Sequence, residues 1–233
     1  VSVVLRADSI AMRYGGRQVL KSAYFEARAG AVTALVGRNG EGKSTLLKIA
    51  AGWMPADAGA VEFGGRRYLR PDPAALAAGG LFFLPVERSI LAPGFTLAHH
   101  LDALEARFGR GDRAAVLERL RIAELARVRC GALSSGERRR AQLAVAVVRR
   151  PLCLLLDEPF RGIDPLDAEV IQAELRAVAA AGCAVVITGH EMTWTLGLAD
   201  HVTWLRGGGT QSFASRGQAE ADWHFRRDYL GRT

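Results

Sequence analysis

Lysine is scarce in this sequence of 233 residues. It occurs at Lys21, Lys43 and Lys48 only, so arginine supplies 28 of the 31 basic residues (31 less 3). The arginines are scattered along the chain, so the net charge of +7 reads as a composition bias rather than a nucleic-acid surface. Cysteine is scarce too. Cys130, Cys153 and Cys183 stand far apart with no CxxC pair, which argues against a disulfide framework or zinc site and suits a reducing compartment. No stretch reaches the ~20 apolar residues a membrane span needs. The most apolar one, Ala177 to Gly189, is interrupted by Gly182. Val1 to Arg6 lacks the layout of a signal peptide, and with no initiator Met a trimmed start stays open. Hydrophobic residues at 49% and charged residues at 24% exclude a wholly disordered or collagen-like chain.

The order of segments indicates α/β architecture. Short β-like pieces (Val3 to Leu5, Ser9 to Tyr14, Tyr24 to Ala27) open the chain and suggest an antiparallel portion. Ala31 to Val36 is a buried-strand run, followed by a Gly-rich turn and a helix from Ser44 to Ala51. Val61 to Tyr68 and Leu81 to Leu84 are further strand candidates. Apolar residues at helical spacing predict amphipathic helices over Thr96 to Phe108 and Asp112 to Val128, and a third helix runs from Ser135 to Arg149, closed by Pro151. Strands at Leu152 to Leu156, Ala184 to Thr188 and His201 to Leu205 then alternate with helices at Pro165 to Ala180 and Met192 to Leu198. That alternation predicts a largely parallel sheet.

Three motifs carry chemistry. Gly37-Arg38-Asn39-Gly40-Glu41-Gly42-Lys43-Ser44, followed by Thr45, matches GxxxxGK[ST] between a strand and a helix. Its glycines allow backbone N–H groups to turn inward on phosphates, Lys43 offers a mobile cation, and the Ser44 hydroxyl is a Mg2+ ligand. One of only three lysines stands at the position the motif requires. The second motif is the run Leu152 to Leu156 ending in Asp157 and Glu158, two carboxylates at a strand's carboxyl end, where α/β sheets place ligands. Asp157 can hold Mg2+ through water, and Glu158 can orient or deprotonate an attacking water. Alone this would be an ordinary acidic turn; beside a phosphate loop it is a nucleotide site. The third motif, Leu133-Ser134-Ser135-Gly136-Glu137, opens a helix and in isolation would be a simple N-cap.

In this order and spacing the three motifs resemble those of the ATP-binding cassette (ABC) ATPase family, over nearly the whole chain. Ser135 stands at the family's first signature Gly and Glu137 at its Gln. The resemblance implies a RecA-like P-loop core with an N-terminal antiparallel β portion, formed by 1–86 and 151–233, and an inserted helical subdomain over 87–150. It implies that Tyr14 stacks on adenine, that Gly162-Ile163-Asp164 crosses a dimer interface and that His190 is the switch histidine. The implied function is the ATP-hydrolysing, Mg2+-dependent subunit of a transporter. Two copies would sandwich ATP between one chain's phosphate loop and the other's Ser134 to Glu137, and a permease on a separate chain would hold the pair on the cytoplasmic face of the membrane. A regulatory subunit with little hydrolysis and a nucleic-acid-associated ATPase are the alternatives. Asp157 to Pro165 and the ending Tyr229-Leu230-Gly231 resemble the branched-chain amino-acid uptake and lipopolysaccharide export ATPases. One departure stands out: Val86 occupies the expected glutamine position, so either Glu87 or water takes that residue's place or the site is slow.

Overall fold

Residues 2–109 and 111–231 are described by a computed structural model. Strands β1 (Val3–Tyr14) and β2 (Arg17–Arg28) form an antiparallel hairpin. The two expected pieces of the first strand are one continuous strand. The polar break between them is a register shift near Ser9, whose φ is 53°, so the ladder bulges without ending. Strand β3 (Val32–Val36) is buried throughout and leads into helix α1 (Lys43–Ala50).

The expected strand Val61 to Tyr68 is a second hairpin, β4 (Ala58–Phe63) and β5 (Arg66–Tyr68). Gly64 and Gly65, both at positive φ, turn the chain where a single strand was anticipated. Helix α2 (Pro73–Ala78), capped by Asp72, was not anticipated from the sequence. Strand β6 (Leu81–Leu84) follows.

Helix α3 (Leu97–Phe108) starts at the Thr96 cap as its periodicity predicts. The next expected helix, Asp112 to Val128, is corrected: α4 spans only Arg113–Arg119. Arg121 takes φ 54° and the chain continues as turns, with Ile122 still buried. The Arg140 guanidinium donates to the carbonyls of Leu120 (2.9 Å) and Arg121 (2.7 Å), satisfying helix-end acceptors from a distant part of the chain. Helix α5 (Ser135–Val147) and strand β7 (Cys153–Leu156) come next.

Helix α6 (Pro165–Ala180), strand β8 (Ala184–Thr188) and helix α7 (Met192–Leu198) match the sequence expectation. Strand β9 (His201–Arg206) pairs with β10 (Gly209–Phe213), and α8 (Arg216–Ala221), α9 (Trp223–Phe225) and a π-helical turn (Arg226–Leu230) follow.

Among the described residues, ten strands lie in the order β5-β4-β1-β2-β10-β9-β3-β8-β7-β6. The run β9-β3-β8-β7-β6 is parallel and the β5-β4-β1-β2 flank antiparallel, and one residue pair, Gly209 with Ser22, joins β10 to that flank. Successive residues of the parallel strands enter opposite cores. Leu154, Leu156, Val185 and Ile187 pack with the helices α3 to α7, and Leu155 and Val186 pack with α1 and the antiparallel flank. This is the α/β, RecA-like arrangement expected. Its loops at the carboxyl ends of β3, β7 and β8 fall on one edge.

Candidate functional site

The loop from Gly37 to Gly42 turns tightly between β3 and α1. Gly42, at φ 102°, precedes α1, and a Cβ there would meet Val19 Cγ1 at 2.8 Å, so the backbone lies against β2. Asn39, Gly40, Gly42, Lys43, Ser44 and Thr45 line an open cleft of about 280 Å³, with Tyr14 and Val19 from the first hairpin and Glu158 opposite. Tyr14 is held there by donating to Met54 Sδ at 2.8 Å. The rest of the loop faces elsewhere. Arg38 N–H donates to Glu41 Oε2 (2.9 Å), and the Arg38 guanidinium donates to the Asp228 carbonyl from Nε (3.1 Å) and its terminal nitrogen (2.9 Å).

Lys43 is buried, and its Nζ donates to the carbonyls of Gly37 (2.7 Å) and Arg38 (3.1 Å). Burial pushes its pKa down, and the charges of Glu158, Glu41 and Asp157 push it back up. The ammonium is thus folded back on its own loop, with the site carboxylates balancing its charge.

Ser44 Oγ donates to Asp157 Oδ1 at 3.0 Å. Thr188 Oγ1 donates to the same oxygen at 2.6 Å and accepts from Glu158 N–H at 2.9 Å. One buried hydroxyl at the end of β8 therefore fixes the Asp157 carboxylate and the Glu158 backbone at the end of β7. Sequence reading passed over Thr188; its signal is a polar residue closing an otherwise apolar strand just before Gly189 and His190. Asp157 Oδ2 is buried and has no hydrogen-bond partner. An orphan carboxylate oxygen beside a hydroxyl is a hard, all-oxygen donor pair and fits Mg2+, which takes one or two protein ligands and completes its shell with phosphates and water. No cluster of three His, Cys, Asp or Glu side chains among the described residues could hold a metal without such help.

Glu158 adopts φ 48°, a left-handed conformation a non-glycine residue reaches at a cost of about 1–3 kcal/mol. Its carboxylate lies 3.5 Å from His190 Nδ1 and 3.4 Å from Arg161. Arg139 on α5 reaches the Glu158 carbonyl at 3.5 Å, and its pKa is lowered by burial against the opposing pull of Asp157 and Glu158. Arg139 is a second residue the motifs did not reveal.

Ser134 to Glu137 are built differently. Ser134 Oγ accepts from Glu137 N–H (3.2 Å), and the Glu137 carboxylate accepts from Ser134 N–H (2.8 Å), a reciprocal cap that lowers the Glu137 pKa. Ser135 is exposed. Gly136 is buried under Asp167, where a Cβ would fall 1.4 Å from Asp167 Oδ2; Asp167 in turn pairs with Arg140 at 2.7 Å. None of the four residues lines the cleft of Tyr14, Lys43 and Glu158.

Val86 follows β6, partly buried. Glu87 is 68% exposed and pairs with Lys48 at the end of α1 (2.9 Å), so its carboxylate is committed away from the cleft lining.

A phosphate loop on a parallel sheet, faced by two strand-end carboxylates, defines a P-loop nucleotide-binding protein. The ABC transporter family model matches residues 20–161, and the chain belongs to that family. It is 35% identical over 233 residues to a probable ABC transporter ATP-binding protein of Azorhizobium caulinodans, covering 97% of this chain and 83% of that one. To the lipopolysaccharide export system ATP-binding protein LptB of Escherichia coli it is 30% identical, covering 97% of both chains. A ribose import ATP-binding protein of Rhizobium etli is 35% identical over 218 residues, which cover 42% of its length. The fold matches a crystal structure of an ABC transporter's ATP-binding cassette in its ADP conformation, with a TM-score of 0.86, 23% identity and full coverage of both chains. The chain is thus the ATP-binding subunit of an ABC transporter and a P-loop ATPase. No helix among the described residues is long and apolar enough to cross a membrane.

Proposed function

We propose that this chain powers a permease carried on a separate chain, by closing with a second cassette, here a second copy of itself, around two ATP molecules and reopening after hydrolysis. The support is geometric: the phosphate loop and Glu158 line one cleft with Tyr14, Ser44 in that cleft is bonded to Asp157, and Ser134 to Glu137 do not line it. Tyr14 stacks on the adenine. Backbone N–H groups from Asn39 to Thr45 hold the phosphates, and Lys43 leaves its loop carbonyls for the β and γ phosphates. Ser44 and Asp157 hold Mg2+, which supplies charge neutralisation at the transferring phosphoryl group. Glu158 orients the attacking water and takes its proton, and His190 positions the γ phosphate. Ser134, Ser135, Gly136 and Glu137 serve the partner's nucleotide. Residues 87–150 act as one helical subdomain against the core of 1–86 and 151–233. The pair sits peripherally on the cytoplasmic face through its permease and engages no nucleic acid.

Glu158→Gln tests this. The amide keeps the shape and loses the base, so ATP should still bind, turnover should fall about 100- to 10,000-fold, and an ATP-loaded dimer should accumulate in light scattering. A variant hydrolysing ATP at the parent rate, or remaining monomeric with ATP, overturns the assignment.

A further inference from the structure

A second cavity lies at the opposite ends of the strands that carry the site. Pro151 and Leu152 precede β7, and Gly182 and Cys183 precede β8. Together with α4, α6 and the end of α5, these residues line a groove of about 470 Å³. Much of its wall is apolar (Val116, Val147, Val148, Pro151, Leu152 and Val178), with Asp112, Arg119, Arg150 and Glu174 as its charged members. Leu152 is 55% exposed there, a large side chain with little cover. The Glu174 carboxylate in this wall is fully buried and held by Arg119 through two bonds of 2.7 and 2.9 Å, so its charge is already matched.

A second cavity, of about 340 Å³, adjoins the groove and shares Asp112, Val148 and Arg150 with it. This one is cationic. Arg149 and Arg150 line it, and the Arg149 guanidinium stacks 3.3 Å over the Phe108 ring, with Arg107 5.0 Å from the same ring. Burial and the charge of Arg107 both push the Arg149 pKa down; its terminal nitrogen donates to the Ala77 carbonyl at 3.2 Å, and its Nε is buried without an acceptor. None of the three arginines has a carboxylate within 4.0 Å among the described residues, and Asp112, the acid at the junction, accepts from Ala115 N–H to cap α4. A largely apolar trough of ligand size that adjoins two crowded, unneutralised guanidinium groups is complementary to one kind of molecule.

We infer that this double cavity binds a free anionic amphiphile, with the apolar chain along Val116, Val148, Leu152 and Val178 and the carboxylate or phosphate head at Arg149 and Arg150. The site is separate from the nucleotide cleft: β7 and β8 run between them, and Leu152 and Asp157 lie five residues apart along an extended strand, roughly 16 Å.

The probe is dodecanoate below its micellar concentration, titrated calorimetrically into the full chain, with dodecanol and acetate as matched halves. Saturable binding of one dodecanoate per chain is expected, at least tenfold tighter than either half. Arg150→Ala should weaken it about tenfold by removing a charged donor. Ala177→Trp, at an exposed helix position on the groove, should abolish it by filling the trough. Both variants should keep the parent's melting temperature and ATP affinity. The inference fails if dodecanoate does not bind saturably, if dodecanol binds equally well, or if neither folded variant alters binding. It also fails if the chain sediments with phosphatidylglycerol vesicles while ignoring free dodecanoate, which would make the ligand a membrane surface.

Discussion

The phosphate loop and the signature segment differ in what satisfies them. Lys43 and Ser44 line the cleft and are bonded to groups just behind it: Gly37 and Arg38 carbonyls for one, Asp157 for the other. Ligands that bind phosphate must displace or share these bonds, so the loop is a site in waiting. Ser134 and Glu137 satisfy one another, and Gly136 is closed over by Asp167. That segment is finished as a helix start, yet its exposed Ser135 does not line the cleft of Tyr14, Lys43 and Glu158. A preorganised surface without a local ligand is what one half of a two-chain site requires.

The comparison is broken most sharply at Lys43. Lys43→Ala removes the principal side-chain cation from the phosphates while the strand and helix around it persist. ATP binding measured by calorimetry should become undetectable, with an unchanged circular dichroism spectrum. Undiminished affinity would refute the loop as the phosphate site.

Ser134→Arg attacks the other half. ATP affinity of the monomer should equal the parent's, because Ser134 does not line the cleft, while the ATP-dependent dimer should disappear. Loss of the cap itself costs only about 1 kcal/mol, so the protein should remain folded. A normal ATP-bound dimer in light scattering would show that the segment serves no partner.

Thr188→Val tests how Asp157 and the Glu158 backbone are fixed. The valine leaves Asp157 Oδ1 with Ser44 alone and Glu158 N–H without its acceptor. A buried polar group deprived of its partner costs about 1–3 kcal/mol, which should appear as a lowered melting temperature together with slower turnover. An unchanged melting temperature would mean that Ser44 and water suffice.

The sequence is most legible where physics is local. Strand β8 and helices α6 and α7 were readable to the residue: a buried parallel strand is a plain apolar run, and Asp164-Pro165 announces a capped helix start. The phosphate loop is legible because its chemistry demands fixed spacing. The stretch after Leu120 was not legible. Ile122, Leu125 and Val128 keep helical spacing but pack as turns, and the carbonyls that end α4 are satisfied by Arg140, twenty positions from Leu120. Gly136 fails for the same reason. Its motif position is evident, but the Asp167 carboxylate resting on it comes from another helix. Glu137 was assigned to the nucleotide on resemblance, and its reciprocal cap with Ser134 shows that it also holds the helix start. Thr188 and Arg139 carry no motif, because what they do depends on tertiary contact with Asp157 and Glu158.

The smallest effects should come from the position between the two halves, after β6. An amide there would offer an oxygen to Mg2+ or to the attacking water; Val86 offers neither. Glu87 is the nearest carboxylate, but it is 68% exposed and spent on Lys48. Exposed pairs of this kind contribute about 0–1 kcal/mol, so Glu87→Ala should leave turnover and melting temperature nearly unchanged. Water is then the expected ligand where the amide would have reached Mg2+. Water is held by no covalent tether and must be ordered anew in each cycle, so Val86→Gln should raise turnover modestly or lower the Mg2+ concentration at half-maximal rate. The measurement is ATPase rate against Mg2+ for both variants. A collapse of activity in Glu87→Ala, with no gain in Val86→Gln, would mean that Glu87 leaves Lys48 on nucleotide binding and swings into the cleft. The Lys48–Glu87 bond would then be the element that separates the resting loop from the loaded one.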